Sequence, residues 1–193
     1  NAAMLAKRGF TSSPDIFDGP IGLPKALVGK GVDAGKLLKQ PGADFDIVNP
    51  GGSIKPYPSC AFTHRSIDAI LELKKEHHID AEDVAEVECT VHPLIPKVLI
   101  HNKPKTGLEG KFSMQYCMAA ALTMGDISTQ EFADETVLTP GLQNLVDRVE
   151  YKHSGADQLS PDQVLAFPQI VKVKLKDGNE FSNQVTYPKG DPN

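Results

Sequence analysis

The amino-acid sequence predicts an α+β domain in which helices pack against a mixed or antiparallel sheet. Helical and strand-like patterns are interleaved along the chain, but the last two predicted strands form a hairpin. A hairpin joins neighbouring antiparallel strands, whereas parallel strands need a longer crossover, usually a helix. The sequence therefore favours an α+β domain over a doubly wound parallel one.

The first fifty residues contain little regular structure. Residues 1 to 9 are typical of the last turns of a helix, because a run of helix formers stops at Gly9, a common C-terminal residue. The stretch from Phe10 to Gly52 is rich in glycine and proline, with a short helix possible from Val32 to Gln40. Stretches of this length are often functional or wrap another domain.

The clearest predicted helix follows His64. Thr63 is its predicted N-cap, and the helix is expected to end near His77. Apolar side chains recur at helical spacing, at Ile67, Ile70 and Leu71, and charged side chains are expected on the outer face, at Asp68, Glu72 and Lys75.

A second helix is predicted from Phe112 to Met124. Its side chains are apolar nearly all round, as in the run Ala119-Ala120-Ala121-Leu122. A helix without a polar face is a buried one. We therefore expect this helix at the centre of the domain.

Two stretches alternate between apolar and polar side chains, as half-exposed strands do. The first covers Val87 to Val91, after a tight turn at Asp80 to Asp83. The second covers Val171 to Leu175. Asp177-Gly178 then predicts a two-residue type I′ hairpin turn, followed by a returning strand from Glu180 to Tyr187.

Composition argues against several classes of function. The net charge of the 193-residue chain is -5, whereas a nucleic-acid partner needs a basic face. There is no apolar run near the roughly 18 residues of a membrane span, and no glycine-rich nucleotide-binding motif. Three widely spaced cysteines form no C-x-x-C pair, which argues against a structural zinc or iron–sulfur site and fits a reducing compartment.

The segment from Lys55 to His64 carries the residues most suited to chemistry. Two prolines hold the loop extended around Tyr57, because each restricts the residue before it. The loop delivers His64 to the start of a helix, where free N–H groups attract anions, and a lysine adds positive charge. This arrangement favours carboxylate binding, although a histidine near an N-cap is also common as an ordinary surface residue.

The run from Lys55 to His64, followed by Ile67-Asp68-Ala69, resembles the signature of the MmgE/PrpD family. That family includes 2-methylcitrate dehydratase, cis-aconitate decarboxylase and iminodisuccinate epimerase. Two further stretches are similar to family segments: residues 2 to 22, and Lys111 to Tyr116 leading into Ala119 to Leu122.

The resemblance implies a two-domain enzyme with an all-helical domain and a smaller α+β domain beside it. Residues 1 to 12 would be the end of the helical domain, and residues 13 to 193 the α+β domain without the family's C-terminal helical tail. It also implies a homodimer with no metal or organic cofactor, and with its active site in the cleft between domains. The expected location is the cytoplasm, in line with the sparse cysteines. An isolated fragment of this kind is expected to be inactive.

The resemblance also implies roles for particular residues. Lys55, His64 and Tyr57 are expected to be catalytic. The expected substrate-binding residues are Lys55, Ser59, Cys60, Lys111 and Ser113. Cys60 stands where the decarboxylases of the family carry a catalytic histidine, which argues against decarboxylation.

The expected function is that of a hydro-lyase acting on a small di- or tricarboxylate such as 2-methylcitrate. Three alternatives stay open. Two keep the family but change the reaction, to an epimerase or isomerase or to a decarboxylase. In the third, the chain is a folded domain that is not catalytic when isolated.

Overall fold

The computed structural model describes residues 1–17, 19–20, 22–28, 45, 47–155, 164 and 167–192. The chain divides into two compact units, Asn1–Asn49 and Pro50–Asn193. The helix predicted from Val32 to Gln40 lies outside the described residues. The domain boundary predicted after residue 12 stays a prediction.

The first unit contains two short helices among its described residues, α1 (Ala2–Lys7) and α2 (Leu23–Val28). Gly9 follows α1 with a φ of +87°, a conformation that glycine adopts without steric cost. The helix predicted over residues 1 to 9 is thus confirmed. A π-helical turn, Ile47–Gly51, comes next along the chain.

The second unit holds a four-stranded sheet and, among its described residues, six α-helices. The strands are β1 (Val84–Val91), β2 (Val149–His153), β3 (Gln169–Leu175) and β4 (Glu180–Val185). The helices are α3 (Ala61–His77), α4 (Ile95–Val98), α5 (Gly107–Gly110), α6 (Met114–Met124), α7 (Asp134–Val137) and α8 (Pro140–Val146).

The sheet is mixed, which confirms the predicted α+β class. Its strand order is β2-β1-β3-β4, with β1 parallel to β2 and antiparallel to β3, and with β3 antiparallel to β4. Helices α3 and α6 pack against each other, α3 contacts β3 and β4, and α6 contacts β2. The sheet thus gives α3 a fixed support.

The core lies between the sheet and these two helices. Val87 and Cys89 of β1 face Val173 and Val171 of β3 across the ladder, and all four are fully buried. Helix α6 is buried from Met114 to Leu122, as its apolar composition predicts. It begins at Met114 rather than at Phe112.

Helix α3 begins earlier than predicted, at Ala61, so the prediction of Thr63 as its N-cap is wrong. Cys60 occupies the N-cap position with an extended backbone. Thr63 lies inside the first turn, where its Oγ1 donates to the Cys60 carbonyl oxygen at 2.8 Å. A threonine hydroxyl can form this local bond from within a helix, so the residue type alone does not mark the helix start. The predicted end at His77 is confirmed.

The hairpin between β3 and β4 is confirmed, but its predicted turn type is wrong. A type I′ turn needs a positive φ at both central residues. Gly178 has a φ of +93°, whereas Asp177 does not have a positive φ. The Gly178 amide donates to the Leu175 carbonyl and the Leu175 amide to the Asn179 carbonyl, which closes a three-residue loop. Strand β4 ends at Val185, before the predicted Tyr187.

No helix within the described part of the chain combines the length and the apolar character needed to cross a membrane.

Candidate functional site

A cleft of about 200 Å³ lies beside the first turns of α3 in the second unit. The loop before α3 forms one side of it, and the segment after β4 forms another. Among the described residues, its titratable side chains are Lys55, His64, Arg65, Lys189 and Asp191. We call it the cationic cleft, because three of these five side chains carry a positive charge at neutral pH.

A backbone contact between two distant segments shapes the cationic cleft. The Ile54 amide donates to the Gly190 carbonyl oxygen at 2.9 Å. Gly190 has a φ of +81°, and a Cβ atom there would lie 2.0 Å from the Ile54 carbonyl oxygen. Only glycine fits this close approach. The segment after β4 is therefore held directly against the loop that carries Lys55.

A buried carboxylate, that of Asp68, fixes the same two segments to α3. Its Oδ1 accepts from the Tyr57 hydroxyl at 2.5 Å, and its Oδ2 accepts from the Lys189 amide at 2.8 Å. The Lys189 Nζ lies 3.8 Å from Oδ1. The prediction of Asp68 on the exposed outer face of the helix is wrong, because these partners cover it and leave it 2% exposed.

Lys55 and His64 meet at one acceptor, the carbonyl oxygen of Ser59. The Lys55 Nζ donates to this oxygen at 3.2 Å, and the His64 Nε2 lies 3.3 Å from it. A carbonyl oxygen only accepts, so Nε2 carries the proton of the neutral imidazole and Nδ1 carries the lone pair. The structure thus brings together Lys55 and His64, two of the three residues that are predicted to be catalytic.

Burial lowers the pKa of His64, which is 3% exposed. The Ser59 carbonyl opposes this effect, and the positive charge of Lys55 lowers the pKa further. The ring also packs edge-on against Tyr57, with centroids 5.4 Å apart. His64 is therefore neutral at pH 7 and able to take up a proton.

This shifted pKa predicts an acid-dependent loss of stability. The pKa of His64 is lower in the folded chain than its value of about 6.5 in the unfolded chain, so the unfolded chain binds the proton more readily. The contribution is fully present above pH 6.5 and is lost as the pH falls through the lower, folded value. Urea unfolding from pH 7.5 to 5.0 should show this loss for the wild type and a smaller one for His64→Gln. Equal slopes for the two proteins would contradict it.

Two cations of the cleft, Arg65 and Lys189, were not predicted from the sequence. Arg65 is 5% exposed, and its Nε donates to the Thr186 carbonyl oxygen at 2.5 Å. Lys189 comes from the segment after β4, 134 residues after Lys55 in the sequence. Helical periodicity marks neither residue. The sequence could have indicated Arg65 only through its position directly after the predicted site residue His64.

Tyr57 is not among the residues that line the cleft, and its hydroxyl donates to Asp68. Burial and then this hydrogen bond raise the pKa of Tyr57, so the phenol keeps its proton. Ser59 is also buried, and its Oγ lies 2.7 Å from the Thr63 Oγ1. Both side chains therefore stabilise the loop in this structure, and their direct contact with a substrate stays a prediction.

The remaining predicted binding residues lie at the start of α3 (Cys60) and just before α6 (Lys111 and Ser113), and none of them lines the cleft. The Cys60 amide donates to the Lys111 carbonyl oxygen at 2.9 Å. The Lys111 Nζ lies 5.9 Å from the centroid of the Phe132 ring. The Ser113 Oγ accepts from the Tyr116 amide at 3.1 Å and caps α6. Binding of substrate by Cys60, Lys111 or Ser113 stays a prediction.

No group of three or more histidine, cysteine, aspartate or glutamate side chains able to hold a metal ion occurs within the described ranges. The three cysteines have free thiols.

Comparison with known protein families identifies a match over most of the chain. The family model for the MmgE/PrpD C-terminal domain matches residues 57–193. This range includes His64, Arg65, Asp68 and Lys189, and begins two residues after Lys55. No curated protein matches the chain. Since the model covers most of the sequence and the mixed α+β fold agrees with the fold expected from it, the chain belongs to the MmgE/PrpD family.

Proposed function

We propose that the protein is part of a lyase, a dehydratase that acts on a small di- or tricarboxylate such as 2-methylcitrate. The cationic cleft is the proposed carboxylate site. The family resemblance adds a homodimer to the proposal, and the free thiols fit a cytoplasmic location.

The observation that carries the proposal is the convergence of three cations on a small cleft. Among the described residues, the cleft is lined by three cations, Lys55, Arg65 and Lys189, and by one carboxylate, that of Asp191, so this lining has an excess of positive charge that a polycarboxylate would neutralise. Pockets for drug-sized ligands occupy roughly 300–1,000 Å³. The cleft, at about 200 Å³, suits a small metabolite.

The proposed chemistry uses a neutral base beside a fixed positive charge. In a dehydration, a base removes the proton from a carbon next to a carboxylate, the electrons of the C–H bond form the double bond, and the hydroxyl group leaves with a proton as water. His64 would take the first proton at Nδ1. Lys55 would stabilise the negative charge that develops on the carboxylate and supply the proton to the leaving hydroxyl.

Enzyme assays of the protein encoded by the complete gene test this proposal. The substrates are 2-methylcitrate, cis-aconitate and iminodisuccinate, which separate dehydration, decarboxylation and epimerisation. We expect dehydration of a hydroxy polycarboxylate, with kcat/KM reduced about 10²- to 10⁴-fold by Lys55→Gln or His64→Gln. Lys97→Gln, an exposed lysine of α4 outside the cleft, serves as the control. Full activity in Lys55→Gln, or no turnover of any substrate, would contradict the proposal.

A further inference from the structure

Arg65 is held more firmly than the other two cations of the cleft. It is 5% exposed, whereas the Lys189 side chain is 63% exposed. Its Nε donates to the Thr186 carbonyl oxygen, which fixes the plane of the guanidinium group. Arginine presents its N–H donors as a rigid fork that matches a carboxylate. Of the three cations, Arg65 is therefore the best placed to orient a carboxylate rather than merely attract it.

Asp191 brings a carboxylate of the protein itself into the same cleft. The backbone around it is fixed at three points: the Asp191 amide donates to the Pro188 carbonyl, Gly190 accepts from Ile54, and the Lys189 amide donates to Asp68. Burial lowers the pKa of Arg65, and the negative charge of Asp191 is the largest influence that opposes it. Asp191 and Arg65 both line the cavity of about 200 Å³, so their opposite charges attract each other there.

We infer that Arg65 binds one carboxylate of the substrate and that Asp191 is a built-in competitor for this position. This inference rests on the carboxylate site of the proposed function. Two carboxylates in so small a cleft repel each other and compete for the same donors. A substrate carboxylate that reaches Arg65 must therefore displace or weaken the influence of Asp191. This competition lowers the affinity of the cleft for any carboxylate. It also makes the cleft selective for polycarboxylates, because only a ligand with a second carboxylate bound by Lys55 or Lys189 recovers the lost binding free energy.

A double-mutant cycle measured by calorimetry with citrate tests the inference. Asp191→Asn should tighten citrate binding by about fivefold or more, the lower end of typical coupling between two sites. In the Arg65→Gln background, which itself binds more weakly, Asp191→Asn should tighten binding by much less. Glu150→Gln removes the same charge from an exposed position on β2 and should leave the affinity near that of the wild type.

Two results would overturn the inference in different ways. If the wild type binds citrate and Asp191→Asn has no effect, or has the same effect with and without Arg65, Asp191 is not a competitor for Arg65 and the carboxylate site stands. If the wild type does not bind citrate at all, the proposed function fails and the inference fails with it. Thermal melting of each variant verifies that the second unit is folded.

Discussion

Replacing Gly190 by alanine should reduce citrate binding on the order of tenfold or more. The new Cβ would lie 2.0 Å from the Ile54 carbonyl oxygen, and this neighbour is backbone that has no alternative rotamer. Gly190 also has a φ of +81°, where an alanine costs about 1–2 kcal/mol. The segment carrying Lys189 and Asp191 would have to move away from the Lys55 loop. A displacement of about 1 Å at such a site can cost up to about 10²-fold.

Gly178→Ala is the matched control for this variant. Gly178 has a similar φ of +93°, but nothing lies within 4 Å of a Cβ added there. It should lower stability by about 1–2 kcal/mol through backbone strain and leave citrate binding unchanged. Calorimetric titration gives the citrate affinity of both variants, and urea unfolding gives their stability. Together they distinguish the backbone strain that both variants share from the steric clash that only Gly190→Ala introduces. Equal citrate affinity in the two variants would show that contact between Gly190 and Ile54 does not shape the cleft.

Replacing Gly107 by alanine should destabilise the second unit by more than about 3 kcal/mol, at or above the upper end of ordinary overpacking. A Cβ at Gly107 would lie 1.7 Å from the Phe132 carbonyl oxygen. The Gly107 amide donates to the Asp134 Oδ1 at 2.6 Å, so this backbone cannot withdraw without losing a hydrogen bond. The Phe132 ring packs against Tyr116 of α6, with centroids 5.7 Å apart. The clash would therefore be transmitted to the core helix.

Gly141→Ala in α8 is the control, since nothing lies within 4 Å of a Cβ added there. Alanine favours a helix over glycine by up to about 1 kcal/mol, so this variant should be neutral or slightly stabilised. Urea denaturation of both variants gives the two free energies of unfolding. A loss of less than about 0.5 kcal/mol for Gly107→Ala, typical of an unconstrained surface position, would contradict the packing described.

Local patterns in the sequence predict five of the ten α-helices and strands described in the second unit, namely α3, α6, β1, β3 and β4, and miss β2 and the four short helices. The apolar run of α6, the alternation in β1 and β3, and the turn residues of the hairpin each reflect a period or conformation set within a few residues. The errors arise where the same residues can adopt more than one local hydrogen-bonding arrangement. Thr63 bonds the Cys60 carbonyl from inside the helix rather than capping it, and Asp177-Gly178 serves a three-residue loop as well as a two-residue one.

Only the side of the cationic cleft that is formed by the loop before α3 could be predicted from the sequence. Lys55 and His64 belong to one continuous segment, so their proximity follows from the sequence. Lys189 and Asp191 are brought to the cleft by the pairing of β3 with β4 and by the hydrogen bond from the Lys189 amide to the Asp68 carboxylate. Contacts of such long sequence separation leave no mark in local periodicity. Asp68 itself sits where a charged residue normally faces solvent, and only the tertiary structure shows its buried partners.

The central claim is that the cationic cleft binds a small polycarboxylate, and titration of the isotopically labelled chain with citrate tests it most directly. Amide chemical shifts report the contact residue by residue. We predict saturable shifts concentrated in residues 53–65 and 188–191, with the Arg65 side-chain signals among them, and much weaker shifts in Lys55→Gln. The absence of saturable shifts, or shifts centred elsewhere, such as on the group of charged side chains that includes Glu88 and Lys172, would contradict the claim.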